Sequence, residues 1–512
     1  MAWGVMVSDF ALESLSAAAI LLVFCVGVGL LAAAIFFVLD LTQTHSALRR
    51  NYPLIGRFRY LFEHLGTFFR QYFYAADREE MPFNREQRSW IYRAAKDLDN
   101  TASFGSTQDI HKPGTILFAN SAFPVLERDA LPVTSLAIGP DTDAPYLPGS
   151  IFNVSGMSFG AISKVAVEAL SRGARLANCW INTGEGGLSA YHLEGGCDIV
   201  FQIGTAKYGV RDAVGQLSDA RLRELAGMPQ IRMFELKLSQ GAKAGKGGIL
   251  PAGKVTPEIA AIRGILPGVA SISPNRHEEI STPGELLDLV GHIRAVTGKP
   301  VGIKAAFGEF GWLDSLFEEV NRRGVASAPD FITVDGGEGG SGAAPVSLMD
   351  FVGLPLGDAL PVVVDRLIAA NLRDRIRVIA SGKLVNPGDV AWALCAGADF
   401  IVSARGFMFA LGCIQAMRCA ENTCPTGITT HNPRLQKGLD PADKSVRVQH
   451  YVENLLHEVE MIAHSCGARE PRELTRTHAL MVAEDGVPVP LEHFYTRFAP
   501  AGGARRLTVA AQ

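Results

Sequence analysis

The chain has 512 residues, a formal net charge of −4 and 20% charged residues. That near-neutral balance gives no electrostatic case for a nucleic-acid partner, and the length admits a large α/β domain with an appendage. Its 53 glycines cluster as GG and GxG after apolar runs rather than in linkers, a placement that suits backbone approaching a ligand.

From the N-terminus, Leu15 to Leu39 contains no charged residue. As a helix this run reaches roughly 38 Å, enough to span a bilayer with some tilt. A cleaved signal peptide is the alternative, but the residues before the run carry Asp9 and Glu13 and no Lys or Arg. Arg49, Arg50, Arg57 and Arg59 follow it, so the positive-inside rule puts the rest of the chain in the cytoplasm. The expected organisation is a short extracytoplasmic start (1–14), one span (15–39) and a juxtamembrane lead-in (40–110). A barrel (111–412), a cysteine segment (413–432) and a helical C-terminal extension (433–512) follow. Tyr52 to Tyr74 mixes aromatics with arginines, as an interfacial helix on the inner leaflet would, or a helix packed on the soluble domain. Residues 111–150, rich in Pro, Gly and Asp, read as irregular structure.

After Gly149, short apolar or β-branched runs recur, most followed by helical material. They are Ile151–Ser155, Cys179–Thr183, Met233–Lys237, Ala270–Ser273, Val301–Lys304, Phe331–Asp335, Val378–Ser381 and Phe400–Ser403. Between them lie helices expected at Ile162–Leu176, at Pro283–Thr297 capped by Thr282, and at Pro387–Ala396 capped by Asn386. Eight such units predict an α/β fold, a (β/α)8 TIM barrel, with an N-terminal transmembrane helix. The weak points are residues 184–230, which hold an extra run near Ile199–Ile203, and 343–375. A doubly wound sheet is the rival, but ligand-like residues follow many strands rather than one switch point.

Barrel chemistry sits at the C-terminal strand ends, often with a phosphate between the last two loops. Here those loops are Ser381-Gly382-Lys383 and Ala404-Arg405-Gly406, and the sixth strand runs into a glycine loop from Asp335 to Gly342. Three consecutive strand ends with free N–H groups and cations suit a phosphorylated cofactor such as FMN. Lys237 and Lys304 end strands, and a lysine in an apolar mouth needs an anionic partner, for which a flavin edge would serve. Beyond the eighth strand an apolar helix leads to Cys413, Cys419 and Cys424, three of the chain's eight cysteines. Zinc more often shows a CxxC pair, and disulfides are disfavoured in the cytoplasm. Three thiols in that short span suit an iron–sulfur cluster, of three irons or of four with a ligand from elsewhere. Asp443–Ser465 reads as an amphipathic helix, and His450, His457 and His464 along it read as a solvated stripe.

Several motifs together resemble the FMN- and iron–sulfur-binding domain of glutamate synthase. They are NVSGMSFGAIS (153–163), NTGEGG (182–187), ELKLSQGAKAGKGGILPAGKV (235–255), ISPNRHEEI (272–280), VDGGEGGSGAAP (334–345) and CIQAMRCAENTCPTG (413–427). The cysteine spacing is the same as that family's, which implies a 3Fe-4S cluster on Cys413, Cys419 and Cys424. The resemblance further implies that Met157, Ser158 and Gly160 lie against the flavin ring. Lys237, Gln240 and Lys304 would lie near its polar edge, and Asp335, Gly336, Gly337, Gly340, Gly342, Ser381, Gly382, Lys383, Arg405 and Gly406 would surround its phosphate. Lys243 and Arg263 would hold the carboxylates of 2-oxoglutarate, and Glu185, Lys237 and Gln240 would serve catalysis. Ile249 stands where the family pattern has Gln and Lys246 where it has Glu, so the substrate could differ.

The function implied is an oxidoreductase acting on CH-NH2 donors. It would take electrons from a ferredoxin, an NAD(P)H-oxidising subunit or a quinone and reduce a 2-imino or 2-oxo acid. No amidotransferase or β-helix domain is expected in this chain, so nitrogen would come as ammonia or from a separate amidotransferase subunit. The second expectation is a membrane-tethered FMN and iron–sulfur subunit that only passes electrons between a soluble partner and the quinone pool. Either way the place is the inner (cytoplasmic) membrane, with the catalytic domain facing the cytoplasm.

Overall fold

The computed structural model describes residues 2–43 and 45–495; residues 496–512 of the expected C-terminal extension lie outside them. Two compact units emerge, residues 1–86 and 87–512.

The first unit holds a helix from Ala2 to Thr42, a short helix Ala47–Asn51, the helix Ile55–Phe69 and a π-helical turn Arg70–Tyr74. The Leu12–Thr42 part of the first helix is long and apolar enough to cross a membrane, and the apolar window within it is unburied, a profile that a signal sequence also has. Asp40 closes the long helix. Its carboxylate is 1% exposed and accepts from the Leu54 N–H (3.1 Å) and from two nitrogens of Arg57 (both 2.8 Å). The Arg57 guanidinium in turn lies over the Phe36 ring. Along Ile55–Phe69 the side chains of Phe58, Leu61, Phe62 and Phe69 stay exposed.

In the second unit eight parallel strands close into a barrel. They are β1 (Phe152–Val154), β2 (Ile181–Asn182), β3 (Ile199–Ile203), β4 (Ile231–Lys237), β5 (Val301–Ala306), β6 (Phe331–Asp335), β7 (Arg377–Ser381) and β8 (Phe400–Ser403). The order around the barrel follows the chain, with β8 pairing to β1 (Val402 opposite Asn153). Buried Tyr146, Trp180, Met233, Phe331 and Phe400 pack with Ile138 at the strand starts. That plug leaves the C-terminal ends free to carry a site.

One expected strand is corrected. Ala270–Ser273 is not in the barrel: Ser271–Ile272 pairs antiparallel with Ile249–Leu250 in an excursion between β4 and β5. The place in the barrel belongs to Ile199–Ile203, all five residues of which are buried. A parallel strand covered on both faces reads as an unbroken apolar run, and IVFQI comes closer to that than the half-exposed 270–273. Lys304 lies inside β5 rather than at its end.

Three smaller differences matter for the site. The helix after β1 starts at Lys164, capped by the side chain of Ser163, rather than at the expected Ile162. The helix after β8 is only Arg405–Ala410, and Gly412 (φ 105°) turns the chain out of it just before Cys413. Ile116–Phe118, in a stretch expected to be irregular, pairs with Ala479–Val482, which also pairs with Pro488–Pro490. The expected helices Pro283–Thr297 and Pro387–Ala396 have their caps on Thr282 and Asn386. The long C-terminal helix, Pro441–Ser465, buries Val448, Val452, Leu455 and Val459. It lies so close to Lys164–Leu176 that a Cβ on Gly173 would sit 2.5 Å from Val448.

Candidate active site

Glu185 is the hub of the barrel mouth. It sits in a 3-10 turn just past β2, where the Asn182 side chain accepts from the Gly184 N–H (2.9 Å) and Gly184 takes φ 62°. Its carboxylate fits only because two neighbours lack side chains: a Cβ at Gly248 would be 2.0 Å from Oε1, and one at Gly204 would be 2.6 Å from its Cβ. Lys237, the last residue of β4, places its ammonium 3.0 Å from Glu185 Oε1 and donates a second, short hydrogen bond to Gln240 Oε1. The anionic partner that Lys237 was expected to need is therefore supplied by the protein. Burial disfavours the Glu185 charge, but Lys237, Lys243 and Arg263 outweigh it and hold the carboxyl below its ordinary value.

Arg263 closes the helix Pro257–Arg263 and is 5% exposed. Its guanidinium donates to Ser271 Oγ (3.1 Å), Ser158 Oγ (3.4 Å) and the Phe159 carbonyl (3.4 Å) and lies over the Tyr208 ring. Its Nε is buried with no hydrogen-bond partner among the described residues. Gly160 and Gly186 make room for it, since a Cβ on either would approach Nη2 to 3.2 and 2.9 Å. Lys243 is 4% exposed. Burial, helped by Lys237 and Arg263 and opposed by Glu185, lowers its pKa to about 8. Three cations thus face one carboxylate.

Met157, Ser158, Glu185, Lys237, Gln240, Lys243 and Arg263 share one cleft with Gly340, Gly342, Arg405 and Cys419. Its empty space is about 820 Å³, part of it open to solvent, within the usual range for a small-molecule site. Ile249 forms part of the wall. The other expected cofactor residues lie around this cleft rather than on it. Gly160 faces Arg263, and its carbonyl meets Nε2 of His431 at 2.8 Å. Lys304 pairs with Asp335 (3.4 Å), whose other oxygen accepts from the Gly241 N–H.

Three of the rim glycines do not offer free N–H groups, Gly406 donating to Ser403 Oγ at 3.3 Å. Gly336 donates to the Ser381 carbonyl and Gly337 to the Leu354 carbonyl. They are small because loops cross there: a Cβ on Gly241 would be 1.9 Å from the Gly336 oxygen, and Gly382 (φ 151°) abuts the Gly336 backbone. Lys383 is half-buried, and burial lowers its pKa against the pull of Glu338. Gly406 packs against the Tyr451 hydroxyl.

The cysteine segment winds under the cleft with Gln415, Met417 and Asn422 all at positive φ, uncommon for residues other than glycine. Tyr92 donates to the Cys413 carbonyl at 2.5 Å, and the Gln415 N–H lies 3.5 Å from Cys413 Sγ. Cys419 Sγ lies 3.8 Å from Nη1 of Arg405, whose Nη2 donates to the Ser341 carbonyl. Cys424 Sγ is 3.4 Å from the Thr426 hydroxyl. Burial pushes the Cys413 thiol up to about 11, and Cys419 and Cys424 are near enough to add to that shift. Cys424 sits below its ordinary value, because hydrogen bonds from Thr426 and Thr429 outweigh its burial. All eight cysteines are free thiols.

Among the described residues no three His, Cys, Asp or Glu side chains converge where one ion could sit. A multi-iron cluster does not require that, since each thiolate binds a different iron. In kind and surroundings the residues fit such a group: three thiols that feel one another's charge, an N–H and a hydroxyl near sulfur, and a guanidinium beside them.

Beneath the cleft lies a residue the sequence analysis did not single out. Glu235 is 3% exposed and accepts from Asn182 (2.8 Å), Gln202 (2.6 Å) and Thr333 (2.6 Å). Strand alternation was the available signal, because Glu235 is two positions before Lys237 and shares its face. His277, from the ISPNRHEEI motif, likewise underlies the site: its Nε2 meets the Lys237 carbonyl at 3.0 Å.

A family model described as the conserved region in glutamate synthase matches residues 144–469. The chain is 38% identical over 520 residues to the glutamate synthase large subunit-like protein YerD of Bacillus subtilis (strain 168), covering 93% of this chain and 98% of that one. It is 33% identical over 317 residues to the archaeal glutamate synthase (NADPH) of Methanocaldococcus jannaschii, covering 61% of this chain and only 58% of that protein. Among solved structures, a mandelate oxidase with (S)-4-hydroxymandelic acid aligns over 77% of this chain and 99% of its own, at 18% identity and a TM-score of 0.45. With the family model spanning the barrel and the cysteine segment, the chain belongs to the glutamate synthase family of oxidoreductases.

Proposed function

We propose that this protein binds FMN in the barrel mouth and a 3Fe-4S cluster on Cys413, Cys419 and Cys424. It would use them to reduce a dicarboxylic 2-imino or 2-oxo acid, with 2-oxoglutarate and ammonia giving glutamate. The observation that carries this reading is the cluster of Lys237, Lys243 and Arg263 around the single carboxylate Glu185. Two positive charges are left over, which a dianionic substrate neutralises, and an unmatched buried cation is otherwise costly.

When bound, the cluster supplies one-electron transfer and the flavin supplies hydride. The remaining work belongs to the chain. Lys243 and Arg263 hold the carboxylates, and the Arg263 Nε that lacks a partner is a donor in reserve. Reduction of a C=N bond leaves the nitrogen short of a proton. Lys237 has three N–H donors, and Glu185 and Gln240 take two of them. The third can reach the substrate. Glu185 keeps that ammonium charged and fixed. Arg405, the rim loops and Lys383 are the groups for the flavin phosphate. Ile249 in the cleft wall, where the family pattern has Gln, gives this site one fewer hydrogen bond to its substrate.

The apolar Leu12–Thr42 helix supports a tether in the cytoplasmic membrane with the barrel in the cytoplasm, and the exposed aromatics of Ile55–Phe69 support a helix lying on the inner leaflet. The same helix favours the second reading, a subunit that only relays electrons to or from quinone. Titrating oxidised holoprotein with 2-oxoglutarate separates the two. A saturable change in the flavin spectrum, absent with a monocarboxylic 2-oxo acid, is expected of the enzyme. No change with any 2-oxo acid would leave the relay.

A further inference from the structure

We propose that Lys254 is a positioning residue, a buried cation that clasps the cysteine segment to the loop after β1 and favours reduction of the group those cysteines hold. The inference rests on the cluster reading above.

Lys254 ends the 3-10 turn Ala252–Lys254 in the excursion between β4 and β5 and is 2% exposed. Its ammonium donates to the Ala161 carbonyl at 2.6 Å and to the Cys419 carbonyl at 3.2 Å. Ala161 and Cys419 both line the reaction cleft, so one side chain ties the flavin side of the cleft to the cysteine side. The same turn holds the segment a second time, because the Gly253 carbonyl accepts from the Asn422 side chain at 3.0 Å. Asn422, at φ 62°, also accepts through Oδ1 from the His431 N–H (2.7 Å), locking the bend between Cys419 and Cys424.

Two carbonyls solvate an ammonium but do not neutralise it, and a buried unpaired charge is expensive. Burial lowers the Lys254 pKa to about 8, Cys419 and Cys424 oppose that by attracting its charge, and Arg263 repels it; His431 lies within its field as well. Its counter-charge is therefore the sulfur cluster itself. Three thiolates make a bound iron–sulfur core anionic, and reduction adds one more electron from a one-electron donor with no bond formed or broken. A fixed positive charge a few ångströms away stabilises the reduced state more than the oxidised one, in a setting where dielectric screening is weak. Lys254 thereby sets the poise of the electron entry point as well as its position.

The test is a redox titration of the cluster, followed by electron paramagnetic resonance, in full-length protein purified without oxygen. Lys254→Arg keeps the charge, Lys254→Met removes charge and hydrogen bonds, and Lys254→Gln removes the charge but still donates to carbonyls. Arg is expected to hold the wild-type potential. Met and Gln are expected to carry wild-type iron and sulfide per chain at a lower potential, by a factor of about ten in the reduction equilibrium, or about 59 mV for one electron. If Met loses its iron, Gln decides. A neutral variant with the wild-type potential, or an Arg variant shifted as far as Gln, would overturn the proposal while the cluster stands. Wild-type protein without iron and sulfide would overturn the cluster reading and this one together.

Discussion

Gly248 and Glu185 touch so closely that a Cβ on the glycine would stand 2.0 Å from the carboxylate oxygen. Gly204 closes the other side of the slot. Bare backbone thus fixes where the carboxylate lies and, through it, where the Lys237 ammonium points. Gly248→Ala should push Glu185 away from Lys237 and lower kcat/KM for the 2-oxo acid about 100-fold. Flavin content should stay unchanged. A wild-type rate in this variant would mean that Glu185 does not position anything the reaction needs.

Lys243, with a pKa near 8 set by burial and by Lys237, is ammonium below that pH and neutral above it. Carboxylate binding favours the ammonium and raises its pKa, so affinity should fall as pH rises through about 8. The apparent KM for a dianionic 2-oxo acid should then climb about tenfold per pH unit. Lys243→Arg, charged throughout, should flatten the profile. A wild-type KM flat from pH 7 to 10 would remove Lys243 from substrate binding.

Glu235 holds Asn182, Gln202 and Thr333 at once, and Asn182 also orients Gly184 beside Glu185. Glu235→Ala strands three buried donors and should cost about 3 kcal/mol or more of stability, read as a lower denaturant midpoint. The variant should lose activity before it unfolds, because the Glu185 turn loosens first.

Serine at Cys413, Cys419 or Cys424 should reduce iron and acid-labile sulfide per chain to near zero. Cys466→Ser, buried on the C-terminal side of the long helix Pro441–Ser465, should leave both intact. Equal loss from all four would point to unfolding rather than ligation.

Residues 1–86 form a compact unit of their own. A chain lacking residues 1–84 should move from the membrane fraction to the soluble fraction and keep its flavin. Retention in the membrane fraction would place the attachment on the barrel instead.

Helix boundaries were legible where a proline follows the cap, as at Thr282 with Pro283 and at Asn386 with Pro387, but the start capped by Ser163 was not. Strand membership was not, because Ile199–Ile203 and Ala270–Ser273 are both short apolar runs and pairing partners leave no local mark. The glycines show the same limit. Their abundance announced close approach, but sequence could not say to what: Gly160 and Gly186 admit Arg263, Gly204 and Gly248 admit Glu185, and Gly241 admits another loop. Glu235 was hidden for a related reason, since a charge in a strand looks like an exposed one until three other strands supply its donors.

The central claim is that flavin, cluster and a dicarboxylate meet in one cleft. The most direct measurement is anaerobic: reduce the purified full-length holoprotein fully, then add 2-oxoglutarate with ammonium and record the flavin spectrum and glutamate. Return of the oxidised flavin band, with one glutamate formed per two electrons lost, is the predicted result. A reduced spectrum that persists while glutamate stays absent, in protein proven to hold FMN and iron, would contradict it.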